Sequence, residues 1–284
     1  MKLRFALWEA TAPRGTILLL PGRTEILEKY GRVAQEMTDA GYTVLSVDWR
    51  GQGHSDRLIA DRRPSHVGQF LSYQLDVEAF VECVAELHLP KPHYLVAHSM
   101  GGCIGLRAMI NELAVECAVF SAPMWGIRVA PHLRPFATGF SWIARSIGQS
   151  TVVMPGTRHA NYATYTSLAE NMLTTDRDHH NFMVRQAEMA PEIAVGGPTA
   201  QWFYEAHMEM TGLAKAPRPA YPVLTFLGTR EEIVEPDAIR RMHRNWPTAR
   251  LEMVNGAKHE LMMEAPEIRD QFMSGMLAFL EQDH

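Results

Sequence analysis

Cysteine is scarce in this chain: of 284 residues only Cys83, Cys103 and Cys117 carry a thiol. An odd number at such wide spacing does not read as a disulfide framework, and none of the short Cys or His spacings of a zinc site is present, so buried thiols are expected. Long apolar runs are missing too. None approaches the roughly 20 residues that a membrane-spanning helix needs, and residues 1–10 lack the apolar segment of a signal peptide. The expectation is a soluble, cytoplasmic chain, with a peripheral hold on lipid left open. An excess of positive charge is also absent, because 27 Lys and Arg stand against 32 Asp and Glu for a net charge of −5. Apart from Asp61-Arg62-Arg63, which reads as a loop, no basic cluster exists to neutralise phosphates, and nucleic-acid binding is excluded as a reading. Repeats and low-complexity tracts are not found. What the chain does have is 46% hydrophobic residues, enough for one large α/β domain with an insertion.

Residues 2–8 and 15–20 read as strands, the second a continuous apolar run suited to burial on both faces. Tyr30, Val33, Ala34 and Met37 recur at helical spacing before Gly41 stops the helix. Residues 42–48 form the next strand, and Tyr73, Val77, Phe80, Val81 and Val84 mark another amphipathic helix. Strand and helix alternate onward through residues 94–98, 100–112 and 116–121, which implies a mainly parallel sheet flanked by helices. The rhythm breaks at Met124. Up to Pro217 the chain is rich in Met and aromatics and punctuated by Pro131, Pro135, Pro155, Pro191 and Pro198. Residues 124–217 are therefore expected to be a helical lid inserted into a core made of 1–123 and 218–284, with a hinge near 214–219.

The most informative segment is Ala97-His98-Ser99-Met100-Gly101-Gly102, directly after Tyr94-Leu95-Val96. A serine on a sharp strand-to-helix turn has its Oγ lifted above the sheet, and the residues two before and two after must be small. Ala97 and Gly101 meet that demand. The bland alternative is a serine that merely caps the helix. A nucleophilic serine needs an imidazole and a carboxylate behind it, in the chain order serine, acid, histidine. Residues 222–227 read as a strand followed by Gly228-Thr229-Arg230-Glu231-Glu232, and residues 251–254 lead into Gly256-Ala257-Lys258-His259-Glu260. Ser99, Glu231 and His259 thus fall at the carboxyl ends of successive strands. Glu232 and Glu235 stay open as alternative acids. Backbone N–H groups of Met100 and Arg23, the latter after the strand ending at Leu20, are the expected oxyanion donors, and the Arg23 side chain is expected to matter little.

Leu20-Pro21-Gly22-Arg23-Thr24-Glu25 with Glu28-Lys29-Tyr30, Asp48-Trp49-Arg50-Gly51-Gln52-Gly53, the serine turn and Gly256-Ala257-Lys258-His259-Glu260 resemble the α/β-hydrolase superfamily over nearly the whole chain. Within it they look most like the bacterial lysophospholipase and monoacylglycerol lipase branch. Asn171-Met172-Leu173-Thr174, Val195-Gly196-Gly197-Pro198-Thr199 and Trp202 are similar to the lid of the lysophospholipase members. Monoglyceride lipases usually have His-Gly at Pro21-Gly22 and Asp at Glu231. The resemblance implies a serine esterase that needs no cofactor and acts on a single-chain lipid ester, a lysophospholipid before a monoacylglycerol. A general carboxylesterase, a serine aminopeptidase and a non-catalytic binding protein of this fold are the rivals.

Other residues invite simpler readings. His98 is expected to pack or hydrogen-bond beneath the oxyanion loop. Ser55 reads as structural, and Asp48 with Arg50 as an ion pair tying down Gly51 to Gly53. His179 and His180 with Asp176 and Asp178 do not face one point, so no metal is expected there. Met124, Trp125 and Trp202 are expected to line an acyl groove, and Arg128, Arg134, Arg145 and Arg158 are the candidates for a phosphate contact. Oligomeric state is not legible.

Overall fold

The computed structural model describes residues 1–130 and 132–282, so Pro131, one of the expected lid prolines, lies outside the described residues. The first strand, β1 (Arg4–Trp8), lies at one edge and runs antiparallel to its neighbour β3 (Thr43–Asp48). β2 (Thr16–Leu20) sits between β3 and β4 (His93–His98), parallel to both, and β5 (Ala118–Ser121), β6 (Val223–Gly228) and β7 (Ala249–Val254) continue the parallel ladder in the order β1-β3-β2-β4-β5-β6-β7. Every residue of β2, β3, β5 and β6 is buried, whereas β1 and β7 are half open. That contrast explains why the central strands read as unbroken apolar runs. Cutting one of their leucines, such as Leu19, back to alanine costs about 2–5 kcal/mol.

Helices α1 (Gly31–Asp39), α2 (Tyr73–Glu86), α3 (Met100–Ile110), α7 (Pro236–His243) and α8 (Pro266–Leu280) belong to the sheet, while α4 (Arg134–Ser146), α5 (Arg177–Met189) and α6 (Ala200–Lys215) fill the stretch between β5 and β6. The chain steps from β2 to β3 in one direction and then crosses to β4 on the other side of β2. Right-handed crossovers place α1 and α2 on opposite faces as a result, and a crevice opens where the carboxyl ends of β2 and β4 part. Arg23 follows β2, and Ser99 follows β4. The fold therefore brings the two expected loops together at its topological switch point.

Asp48 and Arg50 depart from the expected pair. Arg50 instead grips Asp76 on α2 through Nε (2.8 Å) and Nη2 (2.7 Å), while Asp48 accepts the N–H groups of Leu27 and His54 at 3.0 Å each. β3 ends at Asp48, so Arg50 lies beyond the strand, where Asp76 on α2 takes its guanidinium. Asp48 still secures the loop, with help from Ser55, whose buried hydroxyl donates to the Asp48 carbonyl.

Candidate active site

Ser99 sits at φ 49° and ψ −115° between β4 and α3, a conformation that L residues avoid. The turn is held because Gly101 lets α3 press against the end of β2: a Cβ there would lie 2.2 Å from the Leu20 carbonyl oxygen. The Ser99 hydroxyl makes no capping bond to α3, which removes the bland reading. Ala97 is fully buried, as the crowded contact demands.

His259 Nδ1 lies 2.8 Å from Glu231 Oε2, and both side chains are almost fully buried. The other Glu231 oxygen accepts the N–H groups of Ile233 (2.6 Å) and Val234 (3.0 Å). Burial alone pushes the Glu231 carboxyl up, but His259 and these two donors outweigh it and hold its pKa below the usual range. With the carboxylate fixed as acceptor, Nδ1 carries the proton and Nε2 is left able to accept one. Of the three candidate acids, Glu231 alone engages the histidine. Glu232 lies exposed on the cavity wall, and Glu235 pairs with Arg134 (3.3 Å) and Arg241 (3.5 Å).

Gly22, Arg23, Ser99 and His259 share one cavity of about 930 Å³. Its outer wall comes from the stretch between β5 and β6, including Leu133, Phe136, Phe140, Ile143 and Met183. Met124 and Trp202 line it as expected, whereas Trp125 turns away. Its indole N–H donates to the Gly102 carbonyl at 3.1 Å, and its ring packs on Phe120 and Trp246. Met100 is the first residue of α3, so its N–H has no carbonyl one turn back to meet and remains available. The Gly22 N–H is taken by the Glu25 carboxylate, which leaves the Arg23 N–H as the candidate donor on the opposite loop.

The Arg23 side chain contradicts its expected indifference. Its Nη1 donates to Ser65 Oγ (3.0 Å) and the Gly196 carbonyl (2.9 Å), and the guanidinium lies over Trp202. Burial lowers its pKa to about 10. This anchor could have been suspected from Val195-Gly196-Gly197, but not its partner. Asn171 to Thr174 dock onto the histidine loop in the same way: Glu260 N–H donates to the Leu173 carbonyl at 2.8 Å, and buried Glu264 accepts the N–H groups of Lys258 and Thr175 at 2.7 Å each. Both segments singled out in the sequence thus brace a loop of the site.

Among the four arginines considered for phosphate, Arg134 binds Glu235, Arg145 binds Gln201 and Glu205 and stacks on Tyr204, and Arg158 lies over Tyr165. Arg128 lines the cavity and donates one bond to the Glu231 carbonyl at 3.0 Å. His179 stands against Asp176 (3.3 Å), whose carboxylate caps α5 through the His179 N–H.

The chain is 29% identical over 272 residues to a probable lysophospholipase L2 of Haemophilus influenzae, covering 95% of this chain and 85% of that protein. It is likewise 29% identical to lysophospholipase L2 of Escherichia coli K12, covering 99% and 84%. Among solved structures, a soluble variant of monoglyceride lipase from Saccharomyces cerevisiae superposes with a TM-score of 0.78 at 19% identity, covering 98% of this chain and 91% of that one. The monoacylglycerol lipase of Paleococcus ferrophilus gives 0.74 at 20%, covering 99% and 98%. These two share the fold. Residues 11–266 match the model of the family described as serine aminopeptidase, S33. Because that match spans most of the chain, the chain belongs to that family of α/β-hydrolases.

Proposed function

We propose that this protein is a serine carboxylic-ester hydrolase that releases a fatty acid from a single-chain lipid ester, a lysophospholipid first and a monoacylglycerol second. One observation carries the reading: a buried Glu231–His259 pair and a strained serine open on the same 930 Å³ cavity, whose outer wall is apolar. His259 Nε2 takes the proton as Ser99 Oγ attacks the ester carbonyl. The N–H groups of Arg23 and Met100 hold the oxyanion, each worth about 2.7–4 kcal/mol. His259 then protonates the leaving alcohol, and water repeats the sequence to free the acid. Glu231 orients the imidazole and stabilises its charged form throughout. No cofactor enters these steps. The names of the two relatives add lysophospholipid as the first substrate to test.

Residues 124–217 serve as the lid. Along α4 and its two capping residues, Leu133, Phe136, Phe140, Ile143 and Ile147 follow helical spacing, and Phe136, Ile143 and Ile147 are 74%, 52% and 67% exposed. Such a face at the cavity mouth suits peripheral contact with a lipid surface, from which a single-chain substrate enters. An aminopeptidase would need a carboxylate for the substrate amine. Glu25 and Glu260 reach the cavity but are both bonded to Lys29, which among the described lining residues leaves exposed Glu232 as the one carboxylate without that tie.

The test is fatty-acid release from lysophosphatidylcholine and monoacylglycerol, side by side, by wild type and Ser99→Ala. Release favouring the lysophospholipid and abolished by the substitution is expected. Release from neither substrate, with Ser99 still labelled by a fluorophosphonate, overturns the lipid assignment while keeping the serine hydrolase.

A further inference from the structure

Four ionisable side chains lie buried under the cavity floor: Glu25, Lys29, His98 and Glu260 are each no more than 6% exposed. Their places in the chain are telling, because Glu25 lies two residues after Arg23, His98 precedes Ser99, and Glu260 follows His259. Lys29 Nζ bonds to both carboxylates, 2.6 Å from Glu260 Oε1. Glu25 also accepts from Tyr30 OH and the Gly22 N–H. His98 Nδ1 donates to the Ser121 carbonyl at 3.0 Å, and its Nε2 lies 3.4 Å from Glu260 Oε2 and 3.7 Å from Glu25 Oε1. The Glu25, His98 and Glu260 donor atoms fall within 4.8 Å of one another, a set that suits a divalent cation, but here the Lys29 ammonium already bonds to both carboxylates.

Two carboxylates and one ammonium leave a single negative charge unmatched among buried side chains, an arrangement that folding tolerates poorly. A proton on His98 Nε2 removes it. Burial by itself lowers the His98 pKa, yet Glu260 and Glu25 overcome this and raise it, while Lys29 and His98 hold Glu260 well below the usual carboxylate range. The His98 and His259 rings are 4.7 Å apart between centroids.

We propose that Glu25, Lys29, Glu260 and a doubly protonated His98 form a neutral positioning cluster that locks the oxyanion, nucleophile and histidine loops together and sets a positive charge beside His259. Because this rests on the serine-hydrolase reading, it concerns the same His259. That charge lies 4.7 Å, ring centroid to ring centroid, from the imidazole that is to accept the serine proton. His259 is faced by Glu231 from the loop after β6, by Glu260 beside it, and by His98 from β4; His98 is faced in turn by Glu25, Lys29 and Tyr30 from the loop after β2 and by Ser121 from β5. Removing the imidazolium leaves the cluster beside His259 with a net negative charge.

The experiment is the pH profile of Ser99 labelling by a fluorophosphonate, for wild type and His98→Asn, the latter keeping a donor for the Ser121 carbonyl. The acid limb should move to higher pH by at least half a unit, with labelling at pH 9 within severalfold of wild type. A limb that stays in place or moves to lower pH overturns the proposal. Nitrogen NMR of histidine-labelled wild-type protein supplies a measurement that does not depend on a variant: both His98 ring nitrogens are protonated at pH 7.5, and a neutral tautomer there overturns it equally. Wild type that is never labelled would instead defeat the serine-hydrolase reading, leaving the NMR result to stand on its own.

Discussion

The floor and the roof of the cavity are built on opposite principles. The floor is made of strand ends whose polar groups are buried and paired, from Glu231 with His259 to Lys29 between Glu25 and Glu260. The roof is a helical insertion whose apolar side chains are partly left to solvent, Phe136 and Ile147 among them. A bond-making site tolerates little displacement, since misplacing a group by about 1 Å costs on the order of a hundredfold in rate. An acyl chain has no polar groups to register, and an apolar wall of adaptable shape suffices for it. The difference separates where chemistry is fixed from where substrate is merely accommodated.

Substitutions in the floor should therefore act on rate, and the largest effect falls on the serine itself. Ser99→Ala should lower kcat on the order of a millionfold while leaving the melting temperature equal or higher, because alanine cannot react but still fills the turn. Glu231→Gln should cost on the order of ten thousandfold in kcat through loss of the correct histidine tautomer, whereas Glu232→Gln should leave kcat little changed. Equal losses from both would erase the distinction drawn between the two carboxylates. Arg23→Met should approach a loss of about a hundredfold in kcat, because its bonds to Ser65 and Gly196 hold the oxyanion loop to the insertion.

The roof should respond differently. Replacing Trp142, which lies on α4 and is 58% exposed, and Ile147 together by serine should weaken binding to phospholipid vesicles by at least about tenfold, since each fully buried side chain of this size contributes about 1.5–3 kcal/mol. Hydrolysis of a soluble short-chain ester should hold, as neither residue lines the cavity. The smallest effect concerns pH. The His98 pKa is raised in the folded protein, so its stabilisation is complete below the unfolded value near 6.5 and is lost as pH rises through the folded value. The melting temperature of wild type should fall more steeply above neutral pH than that of His98→Asn. Parallel curves would remove the charged floor from the comparison.

The floor was largely legible because strand-end loops carry short local signals. The serine turn needs small residues at fixed offsets, and the acid and histidine come in fixed chain order. Their partners were not, for contacts between distant segments leave no periodic mark. Nothing local to Arg50 points to Asp76, and nothing near Arg23 points to Gly196. Lys29 and Glu260 look like ordinary surface charges until the fold closes over them. Trp125 shows the converse, an aromatic beside the cavity whose indole is drawn into the core by the Gly102 carbonyl. In the roof, the Met and aromatic content announced an apolar role without saying which residues face the cavity.

The most direct test is to mix the protein with palmitoyl-lysophosphatidylcholine, quench in acid within the first turnovers, and search its peptides by mass spectrometry. A palmitoyl ester on the peptide carrying Ser99, with free palmitate accumulating afterwards, is the expected result. An unmodified Ser99 with palmitate released at the wild-type rate by Ser99→Ala would contradict the account.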